Sequence, residues 1–323
     1  MFYFTFNKRI KMKKQQYTNT ILMVEPVNFN FNPQTAVNNY FQNQLDEESE
    51  KIQNQALVEF RTMVKTLRSK GINVLTIKDT PKPHTPDSIF PNNWISFHED
   101  GNVVLYPMYA ENRRLERREE DVLSFLEENG FNIIDVLDYT SAEEEEIFLE
   151  GTGSIILDRV NEIAYAAISQ RTDEDLFIEF CEDLEYTPVL FTANQTVDGK
   201  RLPIYHTNVM MCIADEYAII CLSTIDDKKE RKHVVENLKI SGKEIIAISE
   251  EQMHQFTGNM LQVGGLGQKY LVMSQTAFNS LTQDQISTIE KYNPILPVKI
   301  DLIEKLGGGS ARCMMAEVFL PKA

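Results

Sequence analysis

A short pattern recurs five times along this chain, and its last copy carries a cysteine. The copies read FPNNWIS from Phe90, FLEGTGS from Phe148, YHTNVMM from Tyr205, FTGNMLQ from Phe256 and GSARCMM from Gly309. Their starts lie 58, 57, 51 and 53 residues apart. A repeat of this period constrains the fold more than any single motif, because one unit cannot bury its apolar face alone and must stack on its neighbours. Within the copies stand the side chains that chemistry uses: asparagines, a glutamate, a histidine and a cysteine. Units set side by side around an axis would turn those side chains toward one another.

Each copy opens a run that reads as a β-hairpin, followed by a polar segment of helical period and one short apolar strand. The first hairpin spans WISFHEDGNVVLYPM, with its turn at 99–102. A helix is predicted over 112–129 from the spacing of Leu115, Val122, Leu123 and Leu126, with Gly130 in the C-terminal capping place. The strand NIIDVL follows. The second unit places a helix near 172–186 before TPVLF, the third a helix over 227–239 before EIIAI, and the fourth a helix around 281–292 before ILPVKI. A fifth unit is split between the termini. CMMAEVFL supplies half a hairpin at one end. NTILMVEP, a helical region over 33–70 and INVLTI supply the rest at the other. The expected fold is α/β, a five-bladed β/α propeller whose ring is closed by pairing the terminal strands, which removes two exposed sheet edges. No segment reads as a linker, so 18–323 is expected to form one catalytic domain. Residues 1–17 read as a disordered or mis-annotated extension, with Met12 a candidate start. The acidic run at 142–146 reads as a solvated loop.

Charge narrows the function classes. The net charge of −16 opposes the phosphate neutralisation on which nucleic-acid binding depends, and it opposes an anionic membrane surface. No stretch approaches the length of a membrane span, and the basic start MFYFTFNKRIKMKKQ lacks the apolar core of a signal peptide. Cys181, Cys212, Cys221 and Cys313 show neither zinc nor disulfide spacing, so reduced thiols in a cytoplasmic protein are expected. No ligand cluster suggests a metal or organic cofactor. The expected partner is a small amino-acid substrate, with a homodimer left open.

Cys313 differs from the other cysteines in its lead-in. Three glycines precede SARC, and such a run lets a backbone turn sharply or approach closely. Cys212 and Cys221 lie in apolar strands and Cys181 on the apolar side of a helix, the usual places of an inert buried thiol. His206 opens the third copy at a place matched to Cys313, and a thiol nucleophile needs a base near neutral pH. Glu150, set among Phe148, Leu149 and glycines in the second copy, could orient a histidine or bind the N–H groups of a planar substrate.

Together the motifs PDSIFPNNW, LEGTGS, AISQRT, YHTN and GGGSARCMM make the chain, from about Thr18 onward, resemble the guanidino-group-modifying enzymes of the pentein (amidinotransferase-like) superfamily. It is most similar to the branch of citrulline-utilisation hydrolases and dimethylarginine dimethylaminohydrolases. The resemblance implies Cys313 as nucleophile, His206 as general acid and base, and Glu150 as the carboxylate that holds His206 and the head group. It implies Asp87 in the segment lining the head-group pocket. It further implies Arg171 as a grip on the substrate α-carboxylate, with Arg113 or Arg114 as a second. Where arginine-processing relatives carry an acid at the end of that segment, this chain has Asn92 and Asn93. A buried carboxylate facing a neutral ureido group would lack a charge partner, whereas an amide both donates and accepts. The sequence therefore favours citrulline, hydrolysed to ornithine, carbon dioxide and ammonia, with Asn93 helping to stabilise the developing oxyanion. An arginine or dimethylarginine hydrolase or dihydrolase, an amidinotransferase, and a non-catalytic ribosome-binding propeller remain alternatives.

Overall fold

The computed structural model describes residues 14–323; the greater part of the expected N-terminal extension therefore lies outside the described residues. Residues 14–17, also assigned to that extension, are held in place. Gln16 is buried, its Nε2 donates to the carbonyl of Leu157 at 2.8 Å, and its Oε1 accepts from the backbone N–H of Arg159 at 2.8 Å.

Five three-stranded sheets repeat one plan. In chain order the strands are β1 (Thr20–Glu25), β2 (Asn73–Lys78), β3 (Ile95–Phe97), β4 (Asn102–Leu105), β5 (Asp135–Asp138), β6 (Ile155–Asp158), β7 (Ile163–Ala167) and β8 (Thr187–Phe191). They continue with β9 (Asn194–Val197), β10 (Lys200–Pro203), β11 (Met211–Ile213), β12 (Tyr217–Ile220), β13 (Glu244–Ala247), β14 (Leu261–Gly265), β15 (Gln268–Ser274), β16 (Ile295–Val298) and β17 (Ala316–Glu317). In β3–β4–β5, β6–β7–β8, β11–β12–β13 and β14–β15–β16, an antiparallel hairpin is followed by a helical crossover to a parallel third strand. The fifth sheet is assembled from the termini. β17 pairs antiparallel with β1 through Ile21–Glu317 and Leu22–Ala316, and β1 runs parallel to β2. The middle strands are apolar runs buried on both faces, as in Ile163–Ala167 and Tyr217–Ile220, which is what a sheet covered on both sides requires. The opening strands touch from sheet to sheet: β17 meets β3, and β11 meets both β6 and β14. These contacts set neighbouring repeat copies side by side.

Two helical expectations change. The region over 33–70 is helical only in Ser49–Ser69. Its Asn- and Gln-rich first half turns back on itself instead, with Asn32 Oδ1 accepting from Gln34 N at 3.1 Å and Asn39 Oδ1 from Phe41 N at 3.2 Å. Such side chains compete with the helical backbone for its own donors. The segment at 112–129 divides into Glu111–Arg114 and Glu119–Glu128. The helix expected around 281–292 forms as Gln283–Glu290, started by a capping box of Thr282 and Gln285, and the short helix Gln275–Ser280 before it was not anticipated. The hairpin β9–β10 was not anticipated, although Asp198-Gly199 at its turn is a hairpin signal. The acidic run is also less free than expected: Glu143 accepts from the backbone N–H of Met108 at 2.7 Å and pairs with Arg117. Among the described residues, no helix is long and apolar enough to cross a membrane, and no group of His, Cys, Asp or Glu could hold a metal ion.

Candidate active site

Each of the first three copies folds into a short helical turn that delivers its side chains just before an opening strand: Pro91–Asn93 before β3, Gly151–Ser154 before β6 and Thr207–Val209 before β11. The turn at Gly151–Ser154 contacts the other two. Gly153 makes this approach possible. A Cβ there would lie 2.4 Å from Asn93 Nδ2 and 2.8 Å from the His206 ring, closer than any side chain tolerates.

Asp87, Asn93, Arg113, Arg171, His206 and Cys313 line one small cavity of about 10 Å³. Wider clefts exist, one of them beside Phe41, His254 and Phe256, whose lining includes no cysteine. His206 Nε2 lies 2.6 Å from Oε2 of Glu150, which sits behind it fully buried. Glu150 Oε1 accepts from the backbone N–H of Tyr109 at 2.9 Å. Burial alone would raise the Glu150 carboxyl, but the Arg171 charge and the His206 contact outweigh it and hold the group below the usual carboxylate range. Burial, only partly offset by Glu150, pulls His206 down to about 4. The pair is therefore a neutral imidazole donating to an ionised carboxylate at neutral pH.

Arg171 is turned inward and almost fully buried. Its Nη1 stands 3.4 Å from Glu150 Oε2, its Nε donates to Asn38 Oδ1 at 3.0 Å, and Nη2 donates to both Asn38 Oδ1 and the carbonyl of Thr35. Its guanidinium lies 4.9 Å from the centre of the Tyr205 ring. Arg113 is equally committed. It forks onto Glu116 at 2.9–3.3 Å, and its Nη1 donates to Asn93 Oδ1 at 2.8 Å. Burial works against the Arg113 charge, but the Glu116 carboxylate prevails and keeps it cationic. In this structure both guanidinia thus spend their donors inside the protein.

Asp87 has one oxygen bonded to Asn32 at 2.7 Å and Thr35 at 3.1 Å, while Oδ1 has no partner. Burial pushes its carboxyl up, against the pull of Arg113. Because Asn93 Oδ1 faces Arg113, its Nδ2 is the free end, buried and unpartnered. The cavity therefore offers one free acceptor and one free donor, of the kind a bound ligand satisfies.

Two expected residues lie elsewhere. Asn92 turns away to bond Thr152 Oγ1 at 3.2 Å. Arg114 donates to the carbonyls of Met108 and Tyr109 and covers the Phe148 ring. The uncharged pocket read from Asn92-Asn93 is not what forms: Asp87 lines the cavity and Glu150 stands against it. Sequence reasoning passed over Asn208 and Asn259, whose amides reach Cys313, although both occupy the fourth place of their copies, as Asn93 does. It also passed over Asn32, and over Thr35 and Asn38, which carried no signal once 33–70 was read as helix.

The family model for eukaryotic N,N dimethylarginine dimethylhydrolase matches residues 25–320. No curated protein matches the chain in sequence. Among solved structures, an arginine dihydrolase of the ornithine-ammonia cycle in Cyanobacteria superposes with a TM-score of 0.70 at 19% identity, over 94% of this chain and 41% of that one. This chain thus spans less than half of that relative. The relative's N-terminal domain alone, a substrate-bound mutant, gives a TM-score of 0.68 at 19% identity, over 93% of this chain and 99% of that one. A mutant DDAH from Pseudomonas aeruginosa, complexed with citrulline, gives 0.64 at 14% identity, again over 93% and 99%.

Proposed function

Because the chain belongs to the N,N dimethylarginine dimethylhydrolase family of carbon–nitrogen hydrolases, we propose that it hydrolyses the guanidino group of an arginine-type amino acid, N,N-dimethylarginine or arginine. One observation carries this reading. The protein's own Arg171 guanidinium rests in the cavity against Glu150 and the Tyr205 ring, so these surroundings suit a planar cation. The buried Asp87 carboxylate, whose Oδ1 has no partner, supports a guanidinium better than a neutral ureido group, because a cation both donates to that oxygen and offsets its charge.

In the proposed reaction neutral His206 takes the proton of the Cys313 thiol, and the resulting thiolate attacks the guanidino carbon. His206 passes a proton to the departing nitrogen, the C–N bond breaks, and dimethylamine or ammonia leaves a thiouronium on Cys313. His206 then takes a proton from water, the hydroxide adds to the same carbon, and the C–S bond breaks. The products are citrulline and the regenerated thiolate. Glu150 holds the imidazole in orientation and stabilises its cationic form. Arg171 and Arg113 would have to exchange internal partners to reach a substrate carboxylate. A second reading is favoured by Asn93, whose free Nδ2 donor suits a ureido oxygen: continued hydrolysis of citrulline to ornithine.

We further read the five sheets as blades of one closed ring within a single domain over 18–323; the β1–β17 pair and the contacts between opening strands support this. Incubation of the pure protein separately with dimethylarginine, arginine and citrulline, with products identified by mass spectrometry, tests the substrate. Citrulline or ornithine from a guanidino compound is expected. Consumption of citrulline alone would overturn the reading.

A further inference from the structure

Two side-chain amides from neighbouring repeats converge on the Cys313 sulfur. Asn259 Nδ2 lies 3.2 Å from Sγ and Asn208 Nδ2 3.5 Å. Both residues are buried, and among the described residues the hydrogen bonds of Sγ are made with these two amides: both Nδ2 atoms donate to it, and Asn259 Oδ1, 3.6 Å away, accepts from the thiol form. Neither amide is free to rotate. Asn259 Oδ1 accepts the backbone N–H of Arg312 at 3.0 Å, and its Nδ2 also donates to the carbonyl of Asn208 at 3.1 Å. A half-turn of the amide would set oxygen against oxygen and nitrogen against nitrogen. Asn208 Nδ2 is likewise drawn to the carbonyl of Thr152 at 3.4 Å. Gly258 permits the convergence, since a Cβ there would lie 2.2 Å from the carbonyl oxygen of Val209.

We propose that Asn259 and Asn208 form a two-donor cradle that holds the Cys313 sulfur as a thiolate and fixes its direction of attack. An N–H donor stabilises a charged sulfur far more than a neutral thiol, which is itself a weak acceptor. The cradle acts beside the other charged and titratable groups around the cavity, namely His206, Glu150, Asp87, Arg113, Arg171 and Tyr205, none of which donates to Sγ here. It is built by the repeat itself: the fourth place of the third and fourth copies supplies both donors. The inference rests on Cys313 as the nucleophile and names what makes it one.

Alkylation of Cys313 by iodoacetamide, followed across pH by peptide mass spectrometry, reads the thiolate without any substrate. Asn259→Asp keeps the acceptor for Arg312 N–H and the side-chain size but removes the donor; Asn208→Ala removes the longer contact. At neutral pH the Asn259→Asp protein is expected to react about tenfold or more slowly, with its pH profile moved upward, and Asn208→Ala about threefold more slowly. kcat should fall in step while KM changes little. Unchanged alkylation rates and profiles in variants whose Tm is retained would overturn the proposal. If Asn259→Asp does not fold, Asn208→Ala alone decides by the same criterion. Failure of the functional reading is seen separately, as turnover that survives Cys313→Ala.

Discussion

His206 Nε2 and Glu150 Oε2 stand 2.6 Å apart, with both side chains shut away from solvent. The carboxylate stays ionised because Arg171 and His206 outweigh its burial, and the imidazole stays neutral because burial outweighs the carboxylate. A neutral imidazole anchored through Nε2 can accept a proton and have its positive charge stabilised by the partner that orients it.

Glu150→Gln should preserve the shape of this contact while removing its charge. In comparable dyads the loss of the orienting carboxylate lowers kcat by about 10⁴. A fall of roughly 10³ or more, with the circular dichroism spectrum unchanged, is expected from steady-state kinetics on the variant. A loss below tenfold would mean that His206 does not depend on Glu150.

Stability should fall in acid for a stated reason. The His206 imidazole, ordinarily near 6.5, is lowered by burial to about 4, so the folded protein refuses a proton that the unfolded chain accepts. Its contribution is fully present above pH 6.5 and is lost as pH falls toward 4, amounting to roughly 3 kcal/mol. His98, buried and lowered in the same direction, adds to the slope. Urea denaturation at several pH values should show a shallower decline in His206→Gln than in the parent, with the His98 share remaining. Equal slopes would contradict the assignment.

Arg171 and Glu150 form an ion pair whose side chains are 2% and 0% exposed. Removing one partner of such a pair leaves a buried charge uncompensated, at a cost of about 3–5 kcal/mol. Arg171→Ala should therefore lower the denaturation midpoint substantially. Arg171→Leu combined with Glu150→Leu should recover much of the difference.

Gly153→Ala places a methyl where Asn93 and His206 already stand. Overpacking of this kind costs about 1–3 kcal/mol. Because the displaced groups belong to the site, kcat should fall by a larger factor than stability alone accounts for, and activity assays run beside thermal melts will separate the two.

The repeat made much of this molecule legible. Copies spaced by similar intervals foretold five alike sheets, the pairing of Ile21 and Leu22 with the C-terminal strand, and the meeting of Cys313 and His206 at one cavity with Glu150 behind them, while Asp87 was expected there only from the family resemblance. The rest depended on side-chain direction and on local competition for backbone donors, which periodicity does not carry. Asn92 and Asn93 are adjacent, yet one turns to Thr152 and the other to Arg113. Arg113 and Arg114 part in the same way. The polar segment over 33–48 kept a composition compatible with helix, but Asn32 and Asn39 bonded their own neighbours and brought the chain over the site.

The central claim is that Cys313 attacks the guanidino carbon. It is tested most directly by acid-quenching the enzyme during turnover of arginine or dimethylarginine and mapping its peptides by mass spectrometry. The account predicts a substrate-derived thiouronium adduct on the peptide carrying Cys313, absent from Cys313→Ser, which should also lose activity by roughly 10⁴ or more. An adduct on another residue, or turnover that persists in Cys313→Ser, would contradict it.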